Sequence, residues 1–216
     1  MNQTSSSALI LGAGDDVPHD PPRIEEHGQD TLVICADGGA ALARNWNLTP
    51  QIIIGDQDSL DAATRTHWES QDVPFHAVSP VKDETDMELA VNYAMQHGAK
   101  RITLVGGWGG RIDHSLGNIE LLYRLALEGI ENVLLTKDHC LSAFCRAFQA
   151  KVHPGSFVSL IPLTPKVIGV STEGLLYPLQ EANLQKGSTF SISNVAEREG
   201  ISVTIGDGVL LVVVEQ

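Results

Sequence analysis

Two short acidic motifs carry the residue types best suited to chemistry in this chain. They are Gly-Asp-Gln-Asp-Ser at 55–59 and Lys-Asp-Glu-Thr-Asp at 82–86. The first follows the apolar run 52–54, and the second opens a predicted helix, so both should lie at the strand edge where open α/β sheets bind ligands. Carboxylates that converge there repel one another unless a cation lies between them. The motifs therefore indicate a cation site.

A glycine-rich loop at 106–110 follows another apolar run and leads into Arg111, Asp113 and His114. Glycine occupies four of these five positions, more than a turn alone needs, and the guanidinium fork of Arg111 suits phosphate oxygens. The loop is not a P-loop, and the segment 11–14 lacks the third glycine of a dinucleotide fingerprint. Acids for a metal beside such a loop indicate phosphate chemistry.

Each acid also has a purely structural explanation. Asp58 or Ser59 could cap the helix that follows, and Asp86 could interact favourably with a helix dipole. Asp83 could be a solvated loop charge. The recurrence of acids at successive strand ends favours function, because Asp37 also follows an apolar strand.

The elements that must position these residues alternate over the first two thirds of the chain. This alternation predicts an α/β fold with a mostly parallel sheet and flanking helices. The predicted strands are 8–12, 31–36, 51–54, 75–78, 101–105 and 132–136, and the predicted helices are 38–46, 60–71, 85–97 and 114–129. Residues 85–88 fit a capping box at the start of the third helix.

From about residue 140 the helical periodicity fades, and short apolar runs separated by turn residues follow. These runs predict an antiparallel β-sandwich, and they place a domain boundary near residue 138. We therefore expect domains at 1–138 and 139–216. The predicted strands of the second are 141–149, 156–161, 167–170, 188–193, 201–205 and 209–214.

Composition excludes several classes of protein. The net charge of −13 argues against a nucleic-acid binder, and no stretch approaches the 18 apolar residues of a membrane span. The three cysteines form no Cys-x-x-Cys pair, which is typical of thiols in a reducing compartment. With no signal peptide recognised, we expect a cytoplasmic protein.

The motifs, taken in order, resemble those of the thiamine pyrophosphokinase family. The likeness covers most of the chain and lies in segments 36–40, 55–59, 83–86 and 109–114, and downstream in 157–163, 174–179 and 191–194. It implies transfer of a pyrophosphoryl group from ATP to the hydroxyl of thiamine, which gives thiamine diphosphate and AMP. It also implies a catalytic α/β domain, a thiamine-binding and dimerisation β-sandwich, and a homodimer with active sites between subunits.

The resemblance assigns a role to each motif residue. Asp56, Asp58 and Asp86 would hold Mg²⁺ on the ATP phosphates, with Asp37 and Asp83 beside them. Apart from the resemblance, such a transfer needs a nearby group to accept the proton of the attacking hydroxyl, and Asp86 or Asp83 is our candidate. Arg111 would face the phosphates. The remaining proposed substrate contacts are Gly38, Gly109, Gly110, Asp113, His114, Ser193 and Asn194, with Asp113 and the 193–194 turn near thiamine.

Two other functions remain open from the residues alone. The first is a related Mg²⁺-dependent transferase with another acceptor, such as a nucleotide or a pterin-like ring. Trp108 in the glycine loop and the absence of an aromatic residue in 195–200 are the departures from the family pattern that favour it. The second is a non-catalytic nucleotide-binding module, which would bind ATP without releasing AMP.

Overall fold

The computed structural model describes residues 6–22, 31–56, 60–78 and 83–216. The chain divides into two compact units. One comprises the residues up to Leu121 together with Leu134–Lys137, and the other comprises Leu122–Val133 and Asp138–Gln216. Among the described residues, no helix is long and apolar enough to cross a membrane.

The first unit is built on five parallel strands. Their order is β5, β1, β2, β3, β4, and every neighbouring pair runs parallel. The strands are β1 (Ser7–Leu11), β2 (Thr31–Ala36), β3 (Ile52–Gly55), β4 (Phe75–Ala77) and β5 (Arg101–Val105). In β1 all five residues are buried, as expected for a parallel strand covered on both faces.

Within the described ranges, four helices accompany these strands: α1 (Gly39–Asn45), α2 (Ala62–Glu69), α3 (Asp86–Gln96) and α4 (Ile112–Leu127). Helix α3 packs on β1, β2 and β3, and α1 packs on β1 and β2. Trp68 of α2 is 1% exposed and donates its indole N–H to the carbonyl of Ala40 at 3.0 Å. This bond ties α2 to α1, and both helices share an apolar cluster with Leu9 and Ile53.

Two helix starts are fixed by side chains. At α3 the N-cap half of the predicted capping box is confirmed, because Thr85 is the N-cap and its hydroxyl accepts the Glu88 N–H at 3.2 Å. The residue that caps α2 is Asp61, whose carboxylate accepts the Thr64 N–H at 2.9 Å. Asp58 and Ser59, the caps considered from the sequence, lie outside the described residues.

The second unit contains two antiparallel arrangements of strands. In one, the strand order is β12, β9, β14, β7, and in the other it is β11, β10, β13, β8. The strands are β7 (His139–Phe144), β8 (Ala147–Lys151), β9 (Phe157–Pro162), β10 (Lys166–Glu173), β11 (Ala182–Gln185), β12 (Asn194–Val195), β13 (Gly200–Thr204) and β14 (Leu210–Glu215). Strand β6 (Glu131–Leu135) crosses the division between the units.

The core of the second unit lies between these two sets of strands. Val158 and Val212 from one set share a cluster with Val170 and Val203 from the other, and all four are fully buried. The predicted fold class is therefore confirmed: a mostly parallel sheet with flanking helices, followed by an antiparallel β-sandwich.

Local predictions failed in part of the second unit. The predicted strand at 188–193 is wrong, because that segment forms turns. Its serines satisfy backbone groups: Ser188 Oγ accepts from the Phe190 N–H, and Ser191 Oγ donates to the Leu160 carbonyl. The run predicted at 141–149 is divided between two strands, β7 and β8, and hydrophobic patterning predicted neither β11 nor β12.

Candidate active site

The carboxyl ends of β1, β2, β3 and β5 meet at one edge of the parallel sheet. The chain passes from β1 to β2 on one side, and β5 lies on the other side of β1. The chain direction thus reverses beside β1, and in open α/β sheets such a reversal opens a crevice that binds ligands. The residues immediately after these strand ends form the candidate site.

Asp37 follows β2 in an unusual backbone conformation. Its φ is +44°, a region that non-glycine residues rarely adopt and that often marks functional sites. The conformation is held from both sides, since the Asp37 N–H donates to the Ile54 carbonyl at 2.8 Å and its own carbonyl accepts the Ala40 N–H at 3.1 Å. The side chain is buried, with 8% exposure.

Among the described residues, three carboxylates converge at this edge. One oxygen from each of Asp37, Asp56 and Asp86 lies within 4.8 Å of the other two. At that separation each pair of charges repels by about 3 kcal/mol near a protein surface. A divalent cation that takes oxygen ligands, such as Mg²⁺, relieves this repulsion, and the all-carboxylate donor set fits it.

A cavity of about 430 Å³ opens beside the three carboxylates and includes two of them in its wall. Its wall has little side-chain bulk, because glycines of two loops form much of it. It is lined by Gly12, Ala13, Gly14, Asp15, Ala36, Asp37, Thr85, Asp86, Met87, Gly106, Gly107, Gly109, Gly110, Arg111, His114 and Asn118.

Backbone contacts join the two glycine loops, 12–14 and 106–110. The Gly12 N–H donates to the Val105 carbonyl at 2.7 Å, and the Gly14 N–H donates to the Gly106 carbonyl at 2.8 Å. A Cβ at Gly14 would lie 2.3 Å from the Trp108 carbonyl oxygen, which is impossibly close. The glycines are therefore required for the loops to meet, and backbone rather than side chains faces the cavity here.

Arg111 and Asp113 form an exposed ion pair at the start of α4. Arg111 Nε donates to one carboxylate oxygen of Asp113 at 3.1 Å, and its Nη2 donates to the other at 2.5 Å. This hydrogen bonding lowers the pKa of Asp113 and raises the pKa of Arg111. Arg111 lies at the rim of the cavity, and its guanidinium, which is charged at any ordinary pH, can attract an anion there.

The structure groups most of the predicted residues of the first unit around the cavity. Lining residues among them are Asp37, Asp86, Gly109, Gly110, Arg111 and His114, and Asp56 belongs to the carboxylate cluster. Asp83 is exposed, three residues before α3, and Gly38 is the half-buried N-cap of α1. Asp58 lies outside the described residues, so its predicted metal-binding role stays a prediction.

Ser193 and Asn194 lie in the second unit. The Ser193 N–H donates to Ser159 Oγ at 3.0 Å. The Asn194 amide accepts the Tyr177 N–H at 3.1 Å and donates to the Tyr177 carbonyl at 2.8 Å. Asn194 therefore holds the backbone of Tyr177, a residue that is 65% exposed.

Sequence reasoning missed several side chains at or below the cavity, including three polar ones. Thr85 and Asn118 line it, and Ser115 is hydrogen-bonded to its glycine loop. Helical spacing offered a signal for Asn118, because it lies four residues after His114 and hence on the same helix face. Ser115 carried no comparable pattern.

Comparison with known proteins identifies the family. The thiamin pyrophosphokinase catalytic domain matches residues 25–134, and the vitamin B1 binding domain of the same family matches residues 147–210. The chain belongs to the thiamin pyrophosphokinase family. The expectations of family and of an enzymatic thiamine pyrophosphokinase function are thereby confirmed.

Individual relatives agree along nearly the whole chain. Over 191 residues it is 29% identical to a thiamine pyrophosphokinase of Bacillus subtilis, and the match covers 88% of each chain. The solved structure of thiamine pyrophosphokinase from Bacillus subtilis matches with a TM-score of 0.86 at 25% identity, covering 97% of this chain and 98% of that one. The thiamin pyrophosphokinase structure from Geobacillus thermodenitrificans gives 0.82 at 27% identity, covering 97% of each.

Proposed function

We propose that the cavity at the ends of β1, β2 and β5 binds the phosphates of ATP, and that the chain transfers their terminal pyrophosphoryl group to the hydroxyl of thiamine. Thiamine diphosphate and AMP are the products. The observation that carries this proposal is the cluster of Asp37, Asp56 and Asp86 beside a cavity walled by glycine backbone. We assign catalysis to a domain at 1–138 and thiamine binding and dimerisation to one at 139–216.

Asp37, Asp56 and Asp86 are the proposed Mg²⁺ ligands, with Asp58 as a fourth candidate. Their oxygens are close enough to bind one ion together, and without an ion the three charges repel one another. Bound there, Mg²⁺ would supply charge neutralisation for the phosphate oxygens. The carboxylates determine where the ion would lie, because one follows β2, one follows β3 and one lies at the start of α3.

The other residues position the reactants. Gly109 and Gly110 let backbone approach the phosphates, and the guanidinium of Arg111 at the cavity rim attracts them. Gly38 and His114 are further proposed contacts. Transfer of this kind depends mainly on positioning and electrostatics, so a rigid backbone cradle suits it.

Proton removal from the thiamine hydroxyl is assigned to Asp86 or Asp83. Asp86 lines the cavity, whereas Asp83 is exposed just before α3. A proton acceptor must lie within hydrogen-bonding distance of the hydroxyl, and this favours Asp86 because it lines the cavity. On the thiamine side, the proposed contacts are Asp113, Ser193 and Asn194, and the match of the vitamin B1 binding domain to 147–210 supports thiamine as the acceptor.

We also propose a cytoplasmic homodimer that binds neither nucleic acid nor membrane. Ile112 and Leu116, one turn apart on α4, are 75% and 58% exposed, which suits contact with a second copy of the chain. The cysteines Cys35, Cys140 and Cys145 are free thiols, as expected in a reducing compartment. Sedimentation equilibrium tests the dimer, which predicts twice the chain mass of 23.2 kDa.

One assay tests the proposed reaction. Purified protein is incubated with ATP, Mg²⁺ and thiamine, and AMP and thiamine diphosphate are separated by chromatography. The proposal predicts equal amounts of both products and neither without thiamine. AMP release that does not depend on thiamine would indicate another acceptor, and ATP binding without AMP would indicate a non-catalytic module.

A further inference from the structure

Two polar side chains of α4, Ser115 and Asn118, are buried directly beneath the glycine loop 106–110. Ser115 is 5% exposed and Asn118 is 7% exposed. Burying a hydroxyl or an amide costs free energy unless it is hydrogen-bonded. The hydrogen-bond partners of Ser115 and Asn118 therefore indicate what these two side chains do. Both side chains are hydrogen-bonded to the backbone of the loop that lines the cavity, and Ser115 is also bonded to Arg111, the residue that follows the loop.

Asn118 holds the start of the loop. Its Nδ2 donates to the Gly107 carbonyl oxygen at 2.6 Å. A Cβ at Gly107 would lie 3.2 Å from that nitrogen, tighter than an ordinary contact. The amide thus fits against bare backbone, and the length of the Asn118 side chain sets how far the loop stands from α4.

Ser115 holds the end of the loop. Its Oγ accepts the Gly109 N–H at 3.2 Å and donates to the Arg111 carbonyl at 3.2 Å. One hydroxyl therefore joins the last part of the loop to the residue whose guanidinium lies at the cavity rim. Removing it would release the Gly109 N–H, whereas the Arg111 carbonyl would keep its bond from the Ser115 backbone N–H at 3.1 Å.

The loop depends on such external bonds because of its own composition. Gly106, Gly109 and Gly110 adopt φ values of +67°, +90° and +63°, a region that glycine adopts readily. Because glycine also has the greatest conformational freedom in a less ordered state, fixing this loop in one conformation costs more entropy than fixing other residues. On its other side the loop accepts one bond, from the Gly14 N–H to the Gly106 carbonyl. Ser115 and Asn118 supply the bonds from α4.

We propose that Ser115 and Asn118 are positioning residues for the nucleotide. They hold the 106–110 backbone in the shape that the ATP phosphates require, so that the nucleotide does not have to order the loop when it binds. This inference rests on the proposed assignment of the cavity to ATP. It extends that assignment to two residues that act through the loop.

The test compares Ser115→Ala, Asn118→Ala, Ser115→Thr and Gly117→Ala. Calorimetry gives the Kd for a non-hydrolysable ATP analogue with Mg²⁺, and steady-state kinetics give kcat and the KM of each substrate. Losing one hydrogen bond should weaken nucleotide binding and raise the ATP KM by about tenfold in each alanine variant. The thiamine KM should stay within about twofold, because the lost bonds hold Gly107 and Gly109 and none of them is made by the proposed thiamine contacts.

Two variants serve as controls. Ser115→Thr keeps a hydroxyl and should restore most of the nucleotide affinity. Gly117→Ala changes the same helix turn, but nothing lies within 4 Å of the added Cβ, so it should bind like the parent protein.

The inference is overturned if both alanine variants bind the analogue like the parent protein. It is equally overturned if both KM values rise together in step with a lower melting temperature, which would indicate a role in folding alone. If the parent protein binds the analogue but transfers nothing to thiamine, the proposed function fails, while the analogue Kd values still decide the positioning role.

Discussion

Gly55 and Asp37 occupy neighbouring strand ends so closely that a side chain at 55 would collide with the aspartate. A Cβ at Gly55 would lie 2.8 Å from the Asp37 Cβ and 3.1 Å from its Oδ1. The absence of a side chain at the end of β3 therefore leaves the space in which the buried Asp37 carboxylate joins the cluster. Gly55, at the start of the first acidic motif, is therefore needed for the position of Asp37, which lies 18 residues earlier in the chain.

Replacing Gly55 with alanine should therefore impair the metal site. The added methyl group must push Asp37 aside, so the Mg²⁺ concentration for half-maximal AMP release should rise about tenfold, in line with the effect of disturbing groups that orient metal ligands. Gly200→Ala is the control, because nothing lies within 4 Å of its added Cβ. An unchanged Mg²⁺ dependence in Gly55→Ala would show that Asp37 does not hold the ion.

The two acids of the second motif should differ sharply in importance. Asp86→Asn removes a carboxylate from the cluster and should lower thiamine-dependent AMP release by about 100-fold or more. Its effect on stability should be small, about 1 kcal/mol or less, since the carboxylate also lies in the first turn of α3.

Asp83→Asn should reduce turnover by less than about tenfold, a barrier change of under about 1.4 kcal/mol, because Asp83 is exposed. Initial rates at saturating ATP and thiamine, with urea unfolding of each variant, make the comparison. A larger loss in Asp83→Asn than in Asp86→Asn would transfer the proton-accepting role to Asp83.

The thiols should react in the order of their burial. Burial raises the pKa of Cys35 far above its usual value and raises the pKa of Cys140 to about 11, so at pH 8 less thiolate is present than for a free cysteine. Since only the thiolate attacks, Cys35 should resist alkylation until the protein unfolds. Cys145, less buried, should react first, and mass spectrometry of timed samples reads out the order. Modification of Cys35 at the rate of Cys145 in folded protein would contradict this.

The sequence was informative where hydrophobic period and strand order alone decide the structure. Apolar runs gave the five parallel strands of the first unit, and parallel strands put their carboxyl ends at one edge. The sequence alone therefore predicts that Asp37 and Asp56 lie near each other. The position of Asp86 beside them follows from α3 packing on β1, β2 and β3.

Features set by contacts distant in sequence could not be read from local patterns. The left-handed backbone of Asp37 depends on its bond to Ile54, and the burial of Ser115 depends on the loop above it. The segment 188–193 has the composition of a strand, yet it forms turns, and the hydroxyl of Ser191 donates to the carbonyl of Leu160, 31 residues earlier. In each case a specific tertiary partner outweighs the pattern.

The most direct measurement compares Asp56→Asn with Asp61→Asn. Both changes remove one negative charge within five residues of each other, but Asp56 belongs to the carboxylate cluster, whereas Asp61 caps α2, a position that asparagine also suits. Thiamine-dependent AMP release at saturating Mg²⁺ should fall by about 100-fold or more in Asp56→Asn, with its melting temperature nearly unchanged, and should persist in Asp61→Asn. Full activity in Asp56→Asn would contradict the assignment of these carboxylates to the Mg²⁺ and ATP site.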